Sequence, residues 1–270
     1  MSIKVGCIGA GVMGSALMSA VCKQNDVEVF ISDADFSKAE QFAGQNGAHA
    51  EKTNKTVIQQ ADYLFFAVKP VYLPAVLEET AALLSKKELL QKVFVSIAAG
   101  VKISSIQQKL GEKARIIRVM PNTPAVVKEG MIALASAETA LEADVECVQK
   151  LLSFAGFVQV VQEHLMDGIT AVSGSGPAYG FMFIDALADA AVTFGMPRKK
   201  ALTFAAQTLK GAAAMVLETG KHPGILKDEV CSPAGTTIAA VRVLEEKNFR
   251  SAIIEAAAAA YEKSLELGKK

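Results

Sequence analysis

The residues Ile3-Lys4-Val5-Gly6-Cys7-Ile8-Gly9-Ala10-Gly11-Val12-Met13-Gly14 join a mostly apolar run to three glycines, and the following residues keep a helical pattern. The run predicts a strand over Ile3–Ile8 and a helix over Val12–Lys23. Between them, Gly9 makes a tight turn, Gly11 lets a pyrophosphate approach the backbone, and Gly14 lets the helix pack closely on a sheet. The free N–H groups at the helix start then face phosphate charge, so Gly9, Ala10, Gly11, Val12, Met13 and Gly14 are expected to bind a dinucleotide. A second strand, Val27–Ile31, ends at Ser32 and Asp33. Asp33 suits an adenine ribose diol and repels a 2′-phosphate, which by itself favours NADH. Ser32 and the turn Asp35–Lys38 supply donors for phosphate if that carboxylate turns away, so NADPH and NADH both stand as candidate cofactors. A helix cap is the competing role for Asp33.

Outward from this unit the chain keeps alternating. A helix over Phe36–Gln45, a short element near His49, a helix from about Asn54, strands at Tyr63–Val68, Val93–Ile97 and Ile116–Met120, and a helix after Pro70 continue the βα pattern. Gly130–Ala135 and Phe157–Val161 add edge strands around a helix over Leu141–Phe154. The central strands are continuously apolar, as parallel strands covered by helices on both faces require. Three strand ends should reach the same crevice. Ala67, Val68, Lys69 and Pro70 present extended backbone there, because proline restrains the residue before it. Ala98, Ala99 and Gly100 offer a surface without bulk for a flat ring. Asn54 is read as a helix cap or a cofactor contact.

The pattern changes near residue 162. Helical stretches near 164–172, 177–194, 198–219, 236–246 and 249–267 follow without a convincing strand. The expected architecture is an α/β Rossmann-type domain over 1–161 and an all-helical domain over 162–270. Pro177–Gly195 is apolar on almost every face, which favours burial across a dimer core, with Phe183 inside it. Asp185 and Asp189 on that segment read as capping, pairing or solvated residues.

Composition narrows the function classes. The 270 residues include 28 basic and 28 acidic side chains, so no general polyanion-binding surface is built and no nucleic-acid partner is expected. No apolar stretch reaches the roughly 18 residues of a membrane span, and the start lacks signal-peptide features, so a cytoplasmic protein is expected. Cys7, Cys22, Cys147 and Cys231 are scattered and join no histidine at metal-ligand spacing, so no metal site is expected.

Substrate-side candidates are the loops Met120–Pro124 and Ser173–Pro177, with Asn122 and Ser175 as hydrogen bonders. No serine, histidine and acid spacing suggests a hydrolytic triad. The segment Val230–Ile238 is denser in signals. Gly235, Thr236 and Thr237 stand before an apolar helix and form a backbone-lined mouth suited to a carboxylate. Cys231 beside it is better read as packing than as a nucleophile.

The order of Gly6–Gly14, Ala67–Pro70, Ser96–Gly100, Met120–Pro124, Ser173–Tyr179, Asp185–Ala191 and Leu226–Glu246 strongly resembles pyrroline-5-carboxylate reductase. The resemblance implies a Rossmann domain, a helical dimerisation domain and reduction of L-pyrroline-5-carboxylate to L-proline by NADPH or NADH. It also implies an active site near a dimer interface, and larger rings of dimers. On matching positions it places substrate at Gly235, Thr236 and Thr237, with the Thr237 hydroxyl near the imine nitrogen. Its usual preference for NADPH is weakened by Asp33, where many relatives carry an uncharged or basic residue. Two competitors are weighed against it. A β-hydroxyacid dehydrogenase relative would need a lysine on the long interdomain helix, and Pro177–Gly195 has none. A non-catalytic dinucleotide sensor acting through dimerisation would bind cofactor without turnover.

Overall fold

A computed structural model describes Ser2–Gly268. In chain order the first stretch contains β1 (Ile3–Ile8), α1 (Val12–Val21), β2 (Val27–Ser32), α2 (Phe36–Asn46), β3 (His49–Ala50), α3 (Asn54–Gln60), β4 (Tyr63–Phe66), α4 (Leu73–Leu83), α5 (Lys86–Gln91), β5 (Val93–Ser96), α6 (Ile103–Leu110) and β6 (Arg115–Met120). Then come β7 (Gly130–Ser136), α7 (Glu142–Leu152), β8 (Gly156–Val160) and α8 (Met166–Ile169). The remainder is helical: α9 (Gly176–Thr193), α10 (Arg198–Thr219), α11 (Pro223–Val230), α12 (Thr236–Glu246) and α13 (Phe249–Leu267).

The strands form one sheet in the order β3-β2-β1-β4-β5-β6-β7-β8. The first six are parallel, β7 is antiparallel to β6, and β8 is parallel to β7. Alternate side chains feed two cores. Phe65, Val95 and Ile117 pack with Leu17 and Met18 of α1 on one face, whereas Leu64, Phe66, Phe94 and Ile116 pack with Leu77 of α4 and Ile106 of α6 on the other. This double burial is why the strands read as unbroken apolar runs. The order reverses at β1, which has β2 on one side and β4 on the other, and that reversal opens a crevice at the strands' carboxyl ends.

Several boundaries differ from the sequence expectation. β4 ends at Phe66, so Ala67 and Val68 belong to the crevice loop, although the Ala67 N–H still donates to Ile8 O. The helices α5 and α6 were not anticipated; both are short, and α5 starts on a Ser85–Glu88 capping box. The helix expected over 164–172 is a composite of a 3₁₀ turn Glu163–Leu165, α8, and a π-helical turn Thr170–Gly174. The helix α11 was also missed; His222 is its N-cap, with Nδ1 accepting the Gly224 N–H at 3.0 Å.

Packing parts the chain elsewhere than the expected 161/162 boundary. Of the described residues, 2–174 with 260–268 make one compact unit and Ser175–Ala259 the other. Polar contacts hold the 163–174 segment to the first unit. Buried Arg118, 3% exposed in β6, pairs with Glu163 at 3.3 Å, and Glu163 also accepts the Ile103 N–H at 2.7 Å. Asp167 lies 4.0 Å from the same guanidinium and accepts the Ser264 hydroxyl at 2.6 Å. Met166 and Ala171 add apolar anchors.

The second unit is held differently. Its buried centre is small, with Ala188 of α9 against Ala201 and Ala205 of α10, flanked by Ile184, Ala191, Val192 and Met196. Gly195, at φ +90, makes the turn between these helices where a side chain would be strained. Large apolar side chains stay outside this core: Phe181, Met182, Phe194, Phe204, Leu217 and Ile254 are exposed, Phe194 by 85%. Phe183, by contrast, meets Phe249 of its own chain at 6.1 Å between ring centroids. Asp189 pairs with Arg198 in an exposed salt bridge.

Candidate dinucleotide and substrate site

The glycine loop sits at the end of β1 and is shaped by its neighbours. Gly9 adopts φ +110, and a Cβ there would lie 2.5 Å from Ala67 O; a Cβ on Gly14 would lie 2.1 Å from Gly9 O. Both positions therefore require glycine for the loop to fold. Gly11 is different: a Cβ there would meet no atom within 4 Å. Gly11 is the exposed N-cap of α1, without a side-chain cap, so the first-turn N–H groups remain open to a ligand. The space in front of Gly11 and those N–H groups together fit a pyrophosphate. Val12 is 72% exposed beside them, and Met13 is half-buried.

Asp33 serves this loop directly. Its Oδ2 accepts the Ala10 N–H at 2.7 Å and its Oδ1 accepts the Asp35 N–H at 2.9 Å. The N-cap of α2 is Asp35, so Asp33 fastens the loop and does not cap that helix. Beneath it the fully buried Cys7 thiol has its pKa pushed up, first by burial and then by the Asp33 charge. Ser32 is 1% exposed and donates to Asn54 Oδ1 at 2.8 Å, while Asn54 Nδ2 donates to Glu79 at 2.7 Å. Asn54 is the first residue of α3 after Thr53, so it braces the end of β2 and is not the helix cap.

Other expected contacts line the same carboxyl edge. Lys69 is exposed and extended before Pro70, which starts a 3₁₀ turn. Ala98 and Gly100 are buried and Ala99 is half-buried, with Gly100 at φ +76 packed 3.2 Å, from its Cβ position, against Leu267. Asn122 is 8% exposed; its amide oxygen accepts the Met131 N–H at 2.9 Å and its amide nitrogen donates to Ser173 O at 3.0 Å. It therefore ties the loop after β6 to the π-helical turn.

Arg118 was missed in the sequence, although an arginine between Ile117 and Val119 in an apolar strand was a visible signal. A buried guanidinium needs charged partners. Glu163 and Asp167 supply them, and this places Asp167 in an ionic tie.

In the second unit, Ser175 is the N-cap of α9 and makes no side-chain cap bond. Gly235 is the N-cap of α12, extended at φ −78 and ψ 171, and again no side chain caps the helix. Ser232 Oγ would lie 2.4 Å from a Cβ on Gly235, so a side chain there would displace the Ser232 hydroxyl from the mouth. Helical threonines elsewhere, including Thr80, Thr170, Thr203, Thr208 and Thr219, donate to the carbonyl four residues back. Thr236 and Thr237 occupy the first two positions of α12, where the residues four back are not yet helical. Thr236 is exposed and Thr237 is half-buried at the mouth.

Residues 163–267 match the family model described as pyrroline-5-carboxylate reductase dimerisation, and residues 4–100 match the one described as NADP oxidoreductase coenzyme F420-dependent. The chain is 45% identical over 272 residues to pyrroline-5-carboxylate reductase of Escherichia coli (strain K12), with 100% of both chains covered. It belongs to the pyrroline-5-carboxylate reductase family. The family's relative in Methanosarcina acetivorans is 44% identical, covering 99% of this chain and 98% of its own. Among solved structures, the Coxiella burnetii pyrroline-5-carboxylate reductase superposes with TM-score 0.91 at 33% identity over 100% of each chain. The Plasmodium falciparum enzyme, solved with NADP bound, superposes with TM-score 0.87 at 31% identity over 98% of each. Membership bears out the expected fold and makes the chain an NAD(P)H-dependent reductase of pyrroline-5-carboxylate to proline. Among the described residues no helix is long and apolar enough to cross a membrane.

Proposed function

We propose that the mouth of α12 holds pyrroline-5-carboxylate and that Thr237 is its catalytic contact. The supporting observation is a helix start without a side-chain cap, with Thr236 and Thr237 in its first two positions. Backbone N–H groups of Gly235, Thr236 and Thr237 bind the carboxylate, where helix-end charge favours an anion. The Thr237 hydroxyl accepts the N–H of the protonated imine and fixes the ring's orientation. NADPH or NADH, when bound, supplies hydride for C5 of the imine, and the C=N electron pair moves to nitrogen to give the amine of proline.

Around it, Gly9 to Gly14 hold the pyrophosphate, and Ala67 to Pro70 with Ala98 to Gly100 line the cofactor's path. Asp33 adjusts the choice between the two cofactors. Ser32 and Asn54 brace that edge, and Asn122 and Ser175 complete the substrate side. Residues 1–161 carry the dinucleotide function, and residues 162–270 carry dimerisation and substrate binding. The exposed apolar faces of the second unit support a dimer as the active species, with rings of dimers as the larger assembly, in the cytoplasm.

Substitution of Thr237 tests the assignment. Thr237→Ala should lower turnover about 5- to 150-fold, equivalent to roughly 1–3 kcal/mol for one transition-state hydrogen bond, while Thr237→Ser retains most of it. NADPH affinity and melting temperature should hold in both variants. Near-normal turnover by folded Thr237→Ala would remove the hydroxyl from the reaction.

A further inference from the structure

A cavity of about 340 Å³ in the first unit is assigned no part in the reaction. It lies beside the outer side of α1, between that helix, α2 and the 3₁₀ turn Thr123–Val127, and Lys23 and Lys128 both line it. No Asp or Glu lines it, and neither lysine forms an ion pair among the described residues. The two cations are close enough that the neighbouring Lys128 ammonium, ahead of desolvation, holds the Lys23 pKa below the ordinary lysine value. Lys128 is also held in the left-handed region at φ 66, its N–H donating to Ala125 O at 3.1 Å, a conformation unusual for a side-chain-bearing residue. Two exposed like charges lining one cavity repel only weakly in water, and an anion between them gains attraction from both. The rest of the lining is mixed, with buried Phe42 and the half-exposed ring of Phe154 among its apolar members and Ser15, Ser19, Gln45 and Asn46 among its polar ones. The volume exceeds a lone phosphate and falls within the range of small-molecule sites.

We propose that this cavity binds a small phosphomonoester with an aryl or apolar body, its phosphoryl group between Lys23 and Lys128 and its body on Phe42 and Phe154. None of the proposed substrate residues lines it, and Val12 is the residue it shares with the glycine loop.

Phenyl phosphate titrated by calorimetry into the full-length protein, with NADH already saturating, tests this. The expected result is saturable binding at one site per chain, at least tenfold tighter than inorganic phosphate. Lys23→Gln combined with Lys128→Gln should weaken phenyl phosphate at least 30-fold. Phe154→Ala should weaken phenyl phosphate and leave inorganic phosphate unchanged, which separates recognition of the body from recognition of the phosphoryl group. Circular dichroism and NADH affinity should be unaltered, since both lysines are exposed. Absence of saturable binding would overturn the proposal. So would displacement of phenyl phosphate by added NADH, or unchanged affinity in the folded double variant.

Discussion

Three glycines in one loop have different tasks, and the difference can be measured. Gly14 has its own loop's carbonyl 2.1 Å from a Cβ position, so Gly14→Ala should cost about 1–3 kcal/mol in chemical unfolding, as overpacking does. Gly11 has open space in front of it, so Gly11→Val should leave the melting temperature within error yet weaken NADH and NADPH alike, at least tenfold by calorimetry. Unchanged affinity would move the pyrophosphate elsewhere. The glycine spacing was legible in the sequence because backbone clearance is a property of residue type. The role of Asp33 was less so. Its position at the end of β2 was plain, yet its bond to the Ala10 N–H depends on where two loops meet in space. Asp33→Asn keeps an acceptor for that bond and removes a charge worth about 1 kcal/mol at 4 Å in water. The ratio of kcat/KM for NADPH to that for NADH should therefore rise about fivefold. An unchanged ratio would confine Asp33 to bracing the loop.

At the scale of elements, period and length governed what could be read. The buried parallel strands are apolar on both sides, and α9, α10, α12 and α13 are long enough to show their own pattern. Short helices such as α5 and α11 escaped, since few residues carry little periodicity and capping supplies much of their definition. The composite segment Glu163–Gly174 escaped for another reason: its course is set by long-range ties to Arg118, Asn122 and Ser264. The site was divided in the same way. The glycine loop and α12 mouth were legible as local motifs, whereas the engagement of Ser32, Asn54 and Asn122 with other protein groups was not. The helix α9 is apolar enough to predict burial against a partner, but Phe183 is taken by Phe249, and Phe181 and Met182 are the residues left outside. Phe181→Asp with Met182→Asp should therefore dissociate the dimer in analytical ultracentrifugation while circular dichroism stays near native, because an interface loses affinity when charge enters its apolar centre. An unshifted sedimentation coefficient would place the interface on another face.

For the whole molecule, the proposed reaction requires the dinucleotide loop and the proposed substrate mouth to act in one turnover. A sensor would need only the first, and the sharpest distinction lies in the product. The decisive measurement supplies racemic pyrroline-5-carboxylate with NADPH deuterated at the transferred C4 position, followed by chiral mass spectrometry of the amino acid formed. The account predicts L-proline carrying one deuterium at C5, formed in step with cofactor oxidation, with the D-imine left behind. Tight NADPH binding without proline, or deuterium absent from C5, would contradict it.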